Sequence, residues 1–177
     1  MQDSDNRFNY AVAVVLSHEG GLSNNKADKG GMTNFGISAN FVLENHICRT
    51  SIMAMDFVRF LTKDKAATLY KQYFWFKYNY NLLEDLQLAT KIFDMAVNMG
   101  AHEAHTLLQR AINKMSYDQV LVDGVLGINT LHAANGLPET YLHEELRDMS
   151  KEFYISLVEI TPSDKVFLED WLKRAAW

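Results

Sequence analysis

Phe8-Asn9-Tyr10-Ala11-Val12-Ala13-Val14-Val15-Leu16-Ser17-His18-Glu19-Gly20-Gly21-Leu22 is the stretch on which the reading of this chain turns. Phe8, Val12, Val15 and Leu16 recur at helical spacing and predict a helix over 7–19. Glu19 follows Val15 by four and Leu16 by three, so its carboxyl falls on the face due for burial. Two glycines then stop the helix. Desolvation favours the neutral form of a carboxyl, which is the form a general acid needs. Asp28 comes next, ahead of Gly30-Gly31-Met32-Thr33-Asn34-Phe35-Gly36-Ile37. An acid, a second carboxylate and the Thr33 hydroxyl therefore share one glycine-rich loop, 20–36. Glycosidases work with such a pair of carboxyls. A solvated Glu at a helix end, and a turn Asp between Lys26 and Lys29, satisfy the same spacing.

Outward from the loop the pattern is helical. Helices are expected near 38–46, 54–60, 63–76, 86–99, 102–114, 127–135, 139–160 and 163–175, with a loose start over 1–6. Thr33-Asn34-Phe35-Gly36-Ile37 reads as extended or as a short hairpin. In the 86–99 segment Leu86, Ala89, Ile92, Phe93, Ala96 and Val97 make the apolar stripe. In 139–160 the stripe is Leu142, Leu146, Met149, Phe153, Leu157 and Ile160. No strand–helix alternation supports a parallel sheet, so the fold class is mainly α.

Composition narrows the function. With 48% hydrophobic and 22% charged residues the chain is globular. A net charge of −5 speaks against non-specific nucleic-acid binding, which rests on basic patches. The single cysteine, Cys48, excludes an internal disulfide framework and a multi-cysteine metal site. No run is long and apolar enough to suggest a membrane span. The acidic, polar start has no export-signal pattern, so synthesis in the cytoplasm is expected. His102 and His105 have no third ligand in view and no His-Glu-x-x-His motif, so no metal is expected and no organic cofactor is called for.

Several residues outside the loop are candidates for binding. Tyr70, Tyr73, Phe74, Trp75, Phe76, Tyr78 and Tyr80 form an aromatic cluster. Aromatic faces stack on sugar rings, and Trp75 is the candidate for a glycan groove, while most helical aromatics belong to a core. Asp94 and Asn98, four apart on one helix, either support the Glu19 loop or touch the sugar, or they make packing hydrogen bonds between buried polar groups. Gln109 and Arg110 either bind a peptide or sit on a solvated helix face.

Taken together, these blocks resemble glycoside hydrolase family 108, the bacterial and phage N-acetylmuramidases, some of them linked to protein secretion. Family members carry Glu-Gly-Gly, then Asp, Gly-Gly, Thr and Gly-Ile, as in Glu19-Gly20-Gly21 through Ile37 here. Phe93-Asp94-Met95-Ala96-Val97-Asn98-Met99-Gly100 is similar to the family's second signature. Leu108-Gln109-Arg110-Ala111, Asp123-Gly124-Val125-Leu126-Gly127, Thr130-Leu131 and Trp171-Leu172-Lys173-Arg174 resemble the peptidoglycan-binding region that follows in that family. The resemblance implies a lysozyme-like helical fold with a catalytic region at 7–92 and a helical peptidoglycan-binding region at 93–177 packed against it. It implies hydrolysis of the β-1,4 bond between N-acetylmuramic acid and N-acetylglucosamine, with Glu19 as acid. Phage-type lysozymes place Glu, Asp and Thr at nearly this spacing, with Asp and Thr holding the attacking water. The gap from Asp28 to Thr33 is shorter here, so Asp28 is either a general base or a shaper of the loop. The implied partners are glycan strands and stem peptides, with a holin or secretion system as the route to the wall and the periplasm. A lytic transglycosylase, with Glu19 acting alone, and a non-catalytic wall-binding accessory protein are the alternative classes.

Overall fold

The computed structural model describes residues 2–23 and 31–177. The chain forms two compact units, Met1–Lys77 and Tyr78–Trp177. The first opens with α1 (Gln2–His18), which buries Phe8, Ala11, Val12, Val15 and Leu16 on one face. The helix begins well before residue 7, so the expected loose start is helical. Two short strands follow, β1 (Thr33–Asn34) and β2 (Ile37–Ser38), paired antiparallel with Thr33 opposite Ser38 and Asn34 opposite Ile37. Thr33 also exchanges two backbone hydrogen bonds with Ser23, at 2.8 and 2.9 Å. Asn34 is buried, and its amide donates to Val58 O at 3.0 Å and Leu61 O at 3.3 Å. The hairpin is thereby tied to the end of the helix behind it.

That helix is α3 (Ser51–Arg59), preceded by α2 (Ala39–Glu44) and followed by α4 (Lys63–Tyr70). Each starts behind a hydroxyl cap. Ser38, Thr50 and Thr62 accept from the N–H groups of Phe41, Met53 and Lys65, satisfying donors that a helix start leaves open. The single helix expected over 63–76 changes geometry at Lys71 and runs to Phe76 as a π turn. Its i→i+5 pattern brings residues five apart onto one face. Tyr70 and Trp75 are accordingly both fully buried, and Trp75 meets Phe8 edge to face at 5.9 Å.

The second unit contains α5 (Leu86–Met99), α6 (Ala101–Met115), α7 (Ile128–Asn135), α8 (Glu139–Ile160), a 3-10 segment (Pro162–Phe167) and α9 (Leu168–Ala176). All of α5 belongs to this unit. α5 packs against α6 and α8 and buries every residue from Leu88 to Ala96, not only a stripe. The polar members of that run each have a partner. Thr90 Oγ1 donates to Leu86 O at 2.6 Å. Lys91 Nζ donates to Ala175 O at 2.8 Å, closing the carbonyl end of α9, although burial pulls its ammonium down to about 8. Asp94 pairs with Arg174 of α9.

α8 departs from its expected stripe. Its buried residues step by four, Leu142, Leu146, Ser150 and Tyr154, and Ile160 is exposed. Ser150 tolerates burial because its hydroxyl donates to Leu146 O at 2.6 Å. Among the described residues the fold is mainly α, and no helix is long and apolar enough to cross a membrane.

Candidate active site

Glu19 follows directly on α1, its N–H donating to Val15 O at 3.1 Å, and its side chain is half-buried. Facing it is the turn of the hairpin. Phe35 and Gly36, the two residues between the strands, have φ of 50° and 75°. Positive φ at both central positions is the requirement of a type I′ turn, which suits the twist of a two-residue hairpin. Glycine adopts it freely, whereas Phe35 does so against steric resistance. Tyr70 offsets that resistance, its hydroxyl donating to Phe35 O at 2.9 Å. Position 36 also has no room for a side chain. A Cβ there would lie 2.7 Å from both Cδ and Oε2 of Glu19, and closer still to the Tyr70 hydroxyl. The Glu19 carboxyl, the bare Gly36 backbone and the Tyr70 hydroxyl thus meet at one point.

Gly36→Ala is expected to destabilise the first unit by about 1–3 kcal/mol through the forced positive φ, and to displace Glu19. Displacement of a catalytic group by about an ångström lowers turnover by roughly 10²-fold. Thermal unfolding together with wall-digestion rates tests this. A variant with unchanged melting and unchanged rate would show that the turn does not position the acid.

The other candidates are distributed differently. Thr33 is half-buried on β1, beside the turn, with its backbone N–H and C=O both engaged by Ser23 and with Ser38 opposite it in the hairpin. Asp28 lies outside the described residues. Trp75 is 0% exposed and packs on Phe8, so its expected place in a glycan groove is corrected to the core of the first unit. Phe76, next to it, is the exposed member of the cluster. Asn98 accepts from the Tyr154 hydroxyl, an α5–α8 tie at 2.5 Å. Asp94 is a packing residue, held by Arg174.

Gln109 is also corrected, from peptide ligand to internal strut. It is fully buried, and both ends of its amide are engaged. Nε2 donates to Asp123 Oδ1 at 2.8 Å and Val125 O at 3.0 Å, while Oε1 accepts from the N–H groups of Asp123 and Gly124. Along the same face of α6, Asn113 holds Val120 through N–H and C=O, and His105 holds Gly124 O at 3.0 Å. These three side chains, four apart, fasten the loop that precedes α7.

A carbonyl can only accept, so His105 Nδ1 carries the proton and Nε2 accepts from the Tyr80 hydroxyl at 2.9 Å. Burial pushes the His105 pKa below its ordinary value of 6.5, against the opposing pull of the Gly124 carbonyl. A histidine with a lowered folded pKa resists a proton that the unfolded chain accepts. Stability is therefore complete above about pH 6.5 and is lost as pH falls below it toward the folded pKa. Denaturant midpoints at pH 7.5 and 5.5 are expected to differ in that direction, and His105→Gln is expected to shrink the difference. An unchanged difference in the variant would rule out His105 as its source.

The glycosyl hydrolase 108 family matches residues 12–100, and the predicted peptidoglycan domain matches residues 103–176. Among solved structures, that of Brucella abortus SagA aligns with 97% of this chain and 91% of its own, at a TM-score of 0.79 and 26% identity. No curated protein matches. The first match spans half of the chain and runs through Glu19, the Phe35–Gly36 turn and Tyr70, so the chain belongs to the glycosyl hydrolase 108 family and, with the peptidoglycan domain behind it, is a glycoside hydrolase of peptidoglycan.

Proposed function

We propose that this protein is an N-acetylmuramidase that hydrolyses the β-1,4 bond between N-acetylmuramic acid and N-acetylglucosamine. The observation that carries the reading is the meeting of the Glu19 carboxyl with Gly36 and Tyr70 at the hairpin turn. In this reading Glu19 protonates the leaving oxygen while an oxocarbenium-like centre develops on the sugar. Asp28, with Thr33, orients or deprotonates water on the opposite face, which inverts the anomeric centre. Inversion requires carboxyls about 6.5–9.5 Å apart, and about 5–5.5 Å would give retention. The enzyme reaches the wall by a holin or secretion route.

Digestion of purified peptidoglycan, with products resolved by mass spectrometry, tests the proposal. Muropeptides with a reducing N-acetylmuramic acid end are the expected product. Anhydro-muropeptides would assign the protein to the lytic transglycosylases instead. Absence of any product, on walls from several bacteria, would leave wall binding as the function.

A further inference from the structure

The two sides of α3, in the first unit, are both apolar. One side holds Ala54 and Val58, which are fully buried, and Leu61 beyond the helix end is buried with them. The other side carries Ile52, Met53, Met55 and Phe60 into solvent. At 71% and 76% exposed, Ile52 and Phe60 are not the edge of a core. Met55, Ile52, Phe60 and Met53 follow one another, in that order, round less than half of the helix circumference. Fraying does not account for them, because both ends of the helix are tied. Thr50 caps its start, and the buried Asn34 amide holds the Val58 and Leu61 carbonyls at its end. A fixed apolar face left in water marks an interaction surface.

The charges around this face identify what it meets. From His46 to Lys65 the chain carries Arg49, Arg59, Lys63 and Lys65 against Asp56 and Asp64, in a protein of net charge −5. The cations stand at both ends of α3. Arg49 precedes the Thr50 cap, and Lys63 and Lys65 open α4 directly after Phe60. All three are exposed and have no ion-pair partner among the described residues. Asp56, the acid within the face, is paired with Arg59 at 3.4 Å. Local charge therefore runs against that of the whole chain, and an anionic surface is drawn to this side. Protein partners are recognised chiefly through rigid anchors seated in pockets. Here the apolar groups stand on the convex side of a helix, and two of the four are flexible methionines. A fluid anionic surface accepts such a face without a matching shape. Cations that frame exposed apolar side chains are the pattern of a segment lying in a bilayer interface.

We propose that the exposed face of α3 docks on an anionic phospholipid bilayer, with Ile52, Met53, Met55 and Phe60 entering the interface and Arg49, Lys63 and Lys65 on the lipid phosphates. No helix of the described residues is long and apolar enough to cross a membrane, so the contact is peripheral. Neither Glu19 nor the Phe35–Gly36 turn belongs to this face, which makes docking separable from hydrolysis.

Co-sedimentation of the full chain with two kinds of vesicle tests the proposal. One is made of equal parts phosphatidylglycerol and phosphatidylethanolamine, the other of phosphatidylcholine alone. Binding to the anionic vesicles is expected, with binding at least about tenfold weaker to the zwitterionic ones and a loss in high salt. Ile52→Ser/Phe60→Ser is expected to weaken anionic binding at least about tenfold, and Lys63→Gln/Lys65→Gln about 25-fold, close to fivefold for each cation. All four positions are exposed, so melting and wall digestion should stay at wild-type values and show that the variants are folded. In Phe60→Trp, bromine-labelled anionic lipid is expected to quench the added fluorescence, which places residue 60 in the interface. Three results would each overturn the proposal: no sedimentation with anionic vesicles at millimolar lipid, equal sedimentation with both vesicles, or unchanged binding of the serine double variant. The first of these would leave an acidic protein as the occupant of the face.

Discussion

Glu19→Gln is expected to lower the rate of wall hydrolysis by about 10²–10⁴-fold, the range associated with loss of a general acid. Glutamine keeps the size of the side chain and can still pack against Gly36, but it has no proton to give. The loss corresponds to about 3–5 kcal/mol of transition-state stabilisation. Because the side chain is half-buried at a helix end and not within the core, melting should stay close to that of the wild type. Attachment to the wall should persist as well, since the peptidoglycan domain begins only at residue 103. Rates of muropeptide release, measured beside thermal melting and wall pull-down, give the three readouts. Glu19→Asp sharpens the result. It restores an acid but withdraws the carboxyl by one methylene, so its rate should fall between those of glutamine and wild type. A glutamine variant within a few-fold of the wild-type rate would remove Glu19 from the chemistry, whatever its position.

The position of Glu19 was legible because it depends on one local relation, the phase between a carboxyl and the apolar face of its own helix. Phe8, Val12, Val15 and Leu16 are buried where that phase puts them. The turn that meets the carboxyl was only half legible. Gly36 at the second central position is a hairpin signal, but Phe35 at the first is a poor former of positive φ. What holds Phe35 there is Tyr70, distant in sequence and seen beforehand only as one aromatic among seven. Trp75 was misplaced for a related reason. A 3.6-residue period sets it apart from Tyr70, and only the π turn brings the two onto the buried face. Gln109 illustrates a different limit. Its partners Asp123, Gly124 and Val125 come from a loop whose backbone needs donors and acceptors that no periodicity reveals.

Asp94 carries the largest stability effect expected in the second unit. Sequence left it between sugar contact and helix packing, and the structure places it 1% exposed with both carboxylate oxygens on Arg174. Arg174 Nε reaches Oδ2 at 2.9 Å and Nη2 reaches Oδ1 at 2.8 Å, a fork that matches guanidinium to carboxylate and fastens α9 to α5. Both side chains are inside, and the buried ammonium of Lys91 lies close enough for Asp94 to stabilise it. Asp94→Ala would leave Arg174 and Lys91 as buried cations without their anion. Breaking such a pair from one side destabilises by about 3–5 kcal/mol. For a chain of this size that is a fall of roughly 10 °C in melting temperature. Replacing the pair as a whole has another sign. Asp94→Leu combined with Arg174→Met removes both desolvated charges and should recover most of the loss, because a well-packed apolar pair often equals a buried ion pair. Lys91 then remains the uncompensated charge, so adding Lys91→Met should bring the triple variant closer still to wild type. Melting curves for the single, double and triple variants decide the matter. A single variant within 1 kcal/mol of wild type, or a double variant less stable than the single, would show that α9 is held to α5 by apolar contact and not by this pair.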